Sequence, residues 1–229
     1  MPVKFLILGD SHVQVFSYAN HFQDEIEFEV ITVMGASAQG AINPNNKSDS
    51  VRIFSDKLKD IKKSGFVYDY VGVMLGEVDC GFIIWHLFEQ HQIPVDYQLN
   101  NSVKALFSFS ESGVEDSFPK EKIFLFGANP PALGDDEGAE VPFRDSLAAT
   151  QIEKTALTMK YNSMVKKGCI DRGYNYVDIV DQIMNQDTDV VDPFYKWKTP
   201  DNHHLDNQKT WKIWFNKIAK IIGKDPILD

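Results

Sequence analysis

The chain has 229 residues, of which 43% are hydrophobic and 24% are charged. A chain of this size and composition can bury a full core, and one domain spanning residues 1–229 is the expectation. It carries 33 acidic and 23 basic residues, which give a net charge of −10. A nucleic-acid-binding protein usually has a basic surplus, so nucleic acid is not an expected partner.

The sequence predicts neither a membrane-spanning segment nor a signal peptide. No stretch approaches the roughly 20 apolar residues that span a bilayer. The N-terminal apolar run, Val3–Leu8, is too short for a signal peptide and has no small-residue cleavage site after it. Cys80 and Cys169 are too few for a disulfide framework or a four-ligand zinc site, and we interpret both as buried apolar residues. A cytoplasmic protein without a membrane partner is the simplest expectation.

Five short apolar runs, each the length of a buried strand, recur along the chain. They are Val3–Leu8, Phe28–Val33, Tyr70–Leu75, Lys122–Phe126 and Tyr174–Ile179. Uninterrupted apolar character is typical of strands that are covered on both faces, as in a parallel sheet.

Segments with the apolar spacing of helices lie between or after these runs. The clearest are Ser48–Ser64, Ser146–Gly168 and about Asn207–Ile222, and Gly223 is a plausible stop for the last one. An insertion at about residues 81–119 separates the third and fourth runs and is longer than one crossover helix needs. Strands that alternate with helices predict an open α/β sheet.

Glycine and polar residues follow the predicted strands, where ligands of open α/β sheets bind. The blocks are Gly9-Asp10-Ser11-His12, Gly35-Ala36-Ser37, Gly76-Glu77-Val78-Asp79-Cys80 and Gly127-Ala128-Asn129, and Pro200-Asp201-Asn202-His203-His204-Leu205 precedes the last helix. Each glycine by itself could serve only a tight turn. No Gly-x-Gly-x-x-Gly follows the first strand, so a dinucleotide site is not indicated.

These blocks, in this order, resemble those of the SGNH, or GDSL-type, hydrolases over nearly the whole chain. Gly9-Asp10-Ser11 matches the first block of that family, Gly35 fits the second, and residues 200–205 match the fifth. The resemblance implies a three-layer α/β/α fold with a central, mostly parallel, five-stranded sheet of the flavodoxin-like kind. It also implies a serine esterase.

The resemblance assigns a role to several residues. Ser11 would be the nucleophile, His204 its general base, and Asp201 the acid that orients the imidazole. The backbone N–H groups of Ser11 and Gly35 would bind the oxyanion. This chemistry requires no cofactor and no metal.

The third block departs from the family pattern, because Val78 stands where the family has an asparagine that donates to the oxyanion. Losing one such donor costs about 2.7–4 kcal/mol of transition-state stabilisation. Asn129, at the end of the fourth strand, could supply an amide to the oxyanion or the substrate. An asparagine before Pro130 also suits a simple turn.

Further polar residues in these blocks have more than one interpretation. Glu77 and Asp79 could contact the substrate or form a metal or carboxylate pair, but no histidine is near them in sequence, and a structural hydrogen-bonding role is favoured. We interpret Asp10 as a carboxylate that braces its loop by accepting backbone N–H bonds. His12 could line the pocket or lie in solvent, and His203 is predicted at the surface or in the pocket wall.

Three functions follow from these residues. The leading one is an esterase that removes a small, acetyl-like acyl group from a carbohydrate or other hydroxylated substrate through an acyl-enzyme on Ser11. A glycan O-acyltransferase is an alternative. A third is a binding protein on the same fold with weakened catalysis, which Val78 supports because a fold alone does not confer activity. A small-molecule or glycan ester is the expected partner, and no oligomeric state is predicted.

Overall fold

The computed structural model of the protein describes residues 1–135, 137, 147–199 and 202–228. Its centre is a five-stranded sheet made of β1 (Val3–Gly9), β2 (Ile26–Thr32), β3 (Tyr70–Met74), β4 (Ile123–Phe126) and β5 (Asn175–Val177). The strands lie in the order β2-β1-β3-β4-β5, and every neighbouring pair is parallel. The predicted five-stranded sheet of flavodoxin-like order is confirmed.

Helices cover both faces of this sheet. The α-helices within the described residues are α1 (Gln14–Ala19), α2 (Ser50–Ser64), α3 (Ile84–His91), α4 (Val95–Phe109), α5 (Gln151–Arg172), α6 (Val180–Ile183) and α7 (Asn207–Ile222). Helices α2, α4 and α5 pack on one face, whereas α1, α6 and α7 pack on the other. Of the helices the structure describes, none is long and apolar enough to cross a bilayer.

Each face of the sheet has its own hydrophobic core. The side chains of a strand enter the two cores alternately, because successive side chains point to opposite faces. In β1, Leu6 and Leu8 belong to the core under α2, α4 and α5, whereas Phe5 and Ile7 belong to the core under α1 and α7. All four side chains are fully buried. This double burial explains why Phe5–Leu8 of β1 has no polar alternation, whereas the edge strand β2 alternates at its start, where Glu27 is exposed.

Local capping corrects the predicted start of two helices. The helix predicted from Ser146 begins at Gln151 instead, because Thr150 and Glu153 form a reciprocal capping box there; Ser146 itself lies outside the described residues. Helix α2 begins at Ser50 rather than Ser48, since Asp49 has a left-handed backbone with φ of 58°. Helix α7 has the predicted bounds, and Gly223, whose φ is positive, caps its end.

The outer strands differ slightly from their predicted ranges. Strand β5 is limited to Asn175–Val177 because the Asp178 carboxylate accepts the Val180 N–H at 3.0 Å and turns the chain away. Strand β2 begins two residues earlier than predicted, at Ile26. The ladder reaches that far because the Val3 N–H donates to the Glu25 carbonyl at 2.9 Å.

The segment predicted as an insertion at about residues 81–119 carries α3 and α4. Helix α4 contributes Leu99 and Leu106, both fully buried, to the core on its face of the sheet. Most of this segment is therefore part of the helical layer that connects β3 to β4.

Candidate active site

The polar residues of the site lie beyond the carboxyl ends of β1 and β3, where the strand order reverses. Open α/β sheets bind ligands at this switch point, since neighbouring connections leave in opposite directions and open a crevice. Ser11 follows β1, Glu77 and Asp79 follow β3, and His204 lies just before α7.

Ser11 opens a short 3-10 turn, Ser11–Val13, that leads into α1. The preceding residue, Asp10, caps this turn by accepting the His12 N–H on Oδ1 at 2.9 Å. Ser11 itself is only 6% exposed. Its hydroxyl is therefore held in a fixed place at the end of β1.

The Ser11 hydroxyl meets the His204 imidazole across 193 positions of sequence. The distance between Ser11 Oγ and His204 Nε2 is 2.7 Å. On the other side of the ring, His204 Nδ1 lies 2.9 Å from Asn202 Oδ1. Because an amide oxygen only accepts, the neutral tautomer with its proton on Nδ1 satisfies both contacts and leaves Nε2 free to accept from Ser11.

Asn202 is the site residue that sequence reasoning missed. Its Oδ1 also accepts the backbone N–H of His204 at 3.0 Å, so one oxygen fixes both the backbone and the ring. An asparagine two residues before a histidine is a sequence signal for this kind of turn. Asp201, which was predicted to orient His204, lies outside the described residues, as does Pro200.

Backbone pairing anchors the loop that presents His204. Lys196 and Leu205 form an isolated antiparallel bridge, and the Asp206 N–H donates to the Tyr195 carbonyl at 2.8 Å. Leu205 is buried, and Asp206 caps the start of α7 through the Gln208 N–H. The loop is thus held between a rigid helix and the segment that contains Tyr195.

Gly35 lies in a turn directly after β2. Its φ is +68°, a conformation that favours glycine, and the Ala36 N–H closes the turn on the Val33 carbonyl at 3.0 Å. Turn geometry therefore accounts for glycine here. The role of Gly35 as an oxyanion donor stays a prediction.

Asn129 is buried just beyond β4. The chain before it is fixed by the amide of Asn162, which bonds both the N–H and the carbonyl of Ala128 at 2.8 and 2.9 Å. Val78, in the third block, has a helical backbone and leads into a π-helical turn, Asp79–Ile83. An oxyanion or substrate contact from Asn129 stays a prediction.

Asp79 is fully buried and holds the loop that follows β2. Its carboxylate accepts the Ala38 N–H at 2.7 Å and the Gln39 N–H at 3.4 Å. Burial raises the pKa of Asp79, whereas these backbone donors lower it. Asp79 therefore connects the second and third strand ends.

His12 is buried beside two carboxylates. Its Nδ1 lies 3.2 Å from Asp10 Oδ1 and 3.8 Å from Glu77 Oε2. Burial favours the neutral ring, but the charges of Glu77 and Asp10 and a hydrogen bond to Asp10 outweigh it and raise the pKa of His12 to about 9. Of the two interpretations open from the sequence, exposure to solvent is wrong: His12 is a buried cation at neutral pH.

Glu77 lines a small cavity beside this cation. Burial raises the pKa of Glu77 to about 7, although the charge of His12 opposes the shift. The cavity, about 30 Å³ in volume, is also lined by Phe82, Lys154 and His203. That volume corresponds to roughly one water molecule.

The two adjacent histidines near Ser11 are both held neutral. Burial lowers the pKa of His204 to about 3, and the charges of His12 and His203 contribute in the same direction. Burial and the charge of His12 likewise lower the pKa of His203 to about 4. Neutral His204 is the form that can accept a proton from Ser11.

Two overlapping groups of described residues bring potential metal-ligand atoms within 4.8 Å of one another. One contains His12, His203 and His204, and the other contains Asp10, His12 and Glu77. His12 belongs to both groups, and its Nδ1 is engaged by Asp10. His204 Nε2 is engaged by Ser11. His12 Nδ1 and His204 Nε2 therefore already have hydrogen-bond partners within the protein.

Comparison with known proteins relates this geometry to a fold. No family model and no curated protein matches the chain. A Bacteroides fragilis protein assigned as an acylhydrolase is similar in structure, with a TM-score of 0.63, 13% identity, and coverage of 96% of this chain and 86% of that one.

Two further structures are similar. A carbohydrate acetylesterase family member from Sinorhizobium meliloti has a TM-score of 0.59 and 14% identity, over 97% of this chain and 100% of that one. A GDSL-like lipase from Bacteroides thetaiotaomicron has a TM-score of 0.50 and 12% identity, over 96% and 86%. The chain therefore has the three-layer fold of the SGNH, or GDSL-type, hydrolases, as predicted.

Proposed function

We propose that the protein is a serine esterase of the SGNH type. The observation that carries this proposal is the 2.7 Å contact between Ser11 Oγ and His204 Nε2. A serine hydroxyl is a weak nucleophile unless a neighbouring base removes its proton, and His204 is neutral and within reach to do so. The fold shared with acylhydrolases and esterases supports the same conclusion.

The reaction proceeds in two steps. Ser11 Oγ attacks the ester carbonyl carbon while its proton passes to His204 Nε2, and the tetrahedral intermediate then expels the alcohol, which takes that proton. The acyl group remains on Ser11 as an ester. Water, deprotonated by His204, attacks this ester and releases the carboxylic acid and free Ser11.

The backbone N–H of Ser11, at the start of its 3-10 turn, is the first proposed oxyanion donor. The Gly35 N–H is the second, and Asn129 takes the place of the asparagine that Val78 replaces. Asn202 orients His204 through its amide oxygen, 2.9 Å from Nδ1. Asp201, one residue earlier, is proposed to add a carboxylate to this side of the ring.

We further propose that the substrate is a small acyl ester of a carbohydrate. One structural neighbour is a carbohydrate acetylesterase family member. Exposed aromatic side chains suit stacking on a sugar ring, and Phe194 and Trp197 are 62% and 40% exposed. Both lie in the segment that the Lys196–Leu205 bridge joins to the loop of His204.

The catalytic assignment is tested by replacing the nucleophile. Ser11→Ala should lower kcat for p-nitrophenyl acetate by at least about 1,000-fold, because the acyl-enzyme cannot form. Ser17→Ala, an exposed serine on α1, is the matched control and should retain wild-type turnover. A fluorophosphonate probe should label the wild-type protein and the control but not Ser11→Ala. Unchanged turnover in Ser11→Ala would refute the assignment.

The substrate class is tested separately with acetylated xylo-oligosaccharides. We expect acetate release that depends on Ser11, followed by mass spectrometry of the sugar. Acetyl transfer to an added unacetylated oligosaccharide, instead of to water, would identify an O-acyltransferase. Hydrolysis of p-nitrophenyl acetate without any reaction on the oligosaccharide would contradict the carbohydrate assignment and leave the esterase assignment standing.

A further inference from the structure

A second histidine of the site has no part in the proton transfer described above. His12 is 5% exposed and lies where three parts of the chain meet: the turn after β1, the turn after β3 with Glu77, and the loop before α7 with His203 and His204. Its ring centroid is 4.6 Å from that of His204 and 5.7 Å from that of His203.

We propose that His12 is a positioning residue for the general base: clamped between the carboxylates of Asp10 and Glu77, it packs against His204 and sets both the place and the charge of that ring. The inference rests on the proposed function, in which His204 is the base. It adds a residue that acts on the reaction through its neighbour His204.

The geometry gives His12 a fixed position. Asp10 Oδ1 holds both its backbone N–H at 2.9 Å and its Nδ1 at 3.2 Å. The ring is therefore tied to the same turn that carries Ser11. A rigid ring in contact with His204 restricts the directions in which the imidazole can rotate away from the serine hydroxyl.

Charge compensation explains why this position takes a histidine. Asp10 Oδ2 is buried and has no hydrogen-bond partner within the described part of the chain. Glu77 is also buried, and Asp79 and Lys154 act on its charge as well. A buried carboxylate is costly unless a counter-ion is close, and His12 provides one cation for two carboxylates.

This cation also acts on His204. The groups that face His204 are Ser11, Asn202, His12 and His203, and of these His12 is the one charged at neutral pH. A like charge at this distance disfavours a second proton on His204, so Nε2 stays free to accept from Ser11.

The test uses the folded full chain and NMR titration of the histidine Cε1–H signals, assigned with single variants. In the wild-type protein the His12 signal should titrate at about pH 9, and the His204 signal should titrate at about pH 3. In His12→Gln the pKa of His204 should rise by about 1 unit or more, because the like charge is gone. In Glu77→Gln the pKa of His12 should fall, because one carboxylate is lost.

Kinetics give a second measurement. The acid limb of the plot of kcat/KM against pH reports the pKa of the general base in the free enzyme. In His12→Gln this limb should therefore move to higher pH, together with the pKa measured from the His204 signal. If His12 only supported the structure of the site, its replacement would lower the maximum of kcat/KM without moving the acid limb. His91→Gln, the same change at an exposed histidine of α3, should alter neither the His204 signal nor the limb.

Three results would overturn the proposal: a His204 pKa in His12→Gln equal to that of the wild type, a His12 pKa unaffected in Glu77→Gln, or a wild-type His12 pKa at or below the ordinary value of 6.5. The last measurement needs no variant and remains decisive where both variants fail to fold. Failure of the proposed function is distinguishable, since absent probe labelling with the NMR shifts intact would remove the esterase and leave the histidine pair.

Discussion

At the scale of single residues, the site uses one local motif twice. In Asp10-Ser11-His12, Asp10 Oδ1 holds the backbone N–H of His12 at 2.9 Å and its Nδ1 at 3.2 Å. In Asn202-His203-His204, Asn202 Oδ1 holds the same two groups of His204 at 3.0 and 2.9 Å. The geometry is alike, but the carboxylate favours a charged ring and the amide does not.

Changing the amide into a carboxylate should therefore convert the second motif into the first. In Asn202→Asp we expect the pKa of His204 to rise by about 1–3 units, because an opposite charge stabilises the imidazolium. The acid limb of the kcat/KM profile should shift upward by the same amount. Asn45→Asp, at an exposed residue far from the histidines in sequence, serves as the control. An unshifted limb would mean that Asn202 Oδ1 does not face the ring.

At the scale of elements, the strand ends are fitted against the helices that cover them. Gly76, directly after β3 and Leu75, has a φ of +122°, and a Cβ there would lie 2.4 Å from the Tyr161 ring of α5. The Tyr161 hydroxyl in turn donates to the Leu75 carbonyl at 3.0 Å. The turn that carries Glu77 therefore packs directly against α5.

Gly76→Ala should destabilise the whole fold for this reason. The strained φ and the overlap with a buried ring together cost about 2–4 kcal/mol, which corresponds to a fall in Tm of roughly 4–16 °C for a chain of this size. Thermal unfolding followed by circular dichroism measures it. Gly113→Ala, whose added Cβ would meet its nearest neighbour at an ordinary 3.6 Å, should change Tm little. Equal Tm values for the two variants would contradict this account.

At the scale of the whole molecule, the buried histidines link folding to pH. His12 has a pKa of about 9 in the folded protein against 6.5 ordinarily, so its contribution to stability is complete below about pH 6.5 and is lost as the pH rises to about 9. Folding also raises the pKa of Glu77, from 4.5 to about 7, so the free energy of unfolding falls further as the pH rises between these values. His203 and His204, which are neutral when folded, cost stability as the pH falls below 6.5.

We therefore expect a maximum of stability near pH 6–6.5, set by these groups. Denaturant unfolding between pH 5 and 9 should show a decline in the free energy of unfolding above this maximum. In His12→Gln the decline toward pH 9 should be much weaker, whereas His91→Gln should follow the wild-type curve. Parallel curves for wild type and His12→Gln would show that His12 gains no stabilisation from its carboxylates.

The sequence by itself determined the architecture. Strands covered on both faces leave uninterrupted apolar runs, and helices leave a periodic stripe, so both are visible without coordinates. Helix α7 is bounded by local signals, a capping Asp206 and a stop at Gly223. Ser11 and His204 were predicted as partners because their blocks resemble the first and fifth blocks of the SGNH hydrolases, and the switch point of an open α/β sheet is where such a site is expected.

Only the tertiary structure decided the environment of that pair. Burial of His12, the distance between its ring and His204, and the raised pKa of Glu77 all depend on three segments that meet at the switch point of the sheet. A sequence lists charges but not their separation or their access to water. Since both a desolvation penalty and a Coulomb interaction depend on that geometry, the charge of His12 and the neutrality of His204 follow from packing and not from residue type.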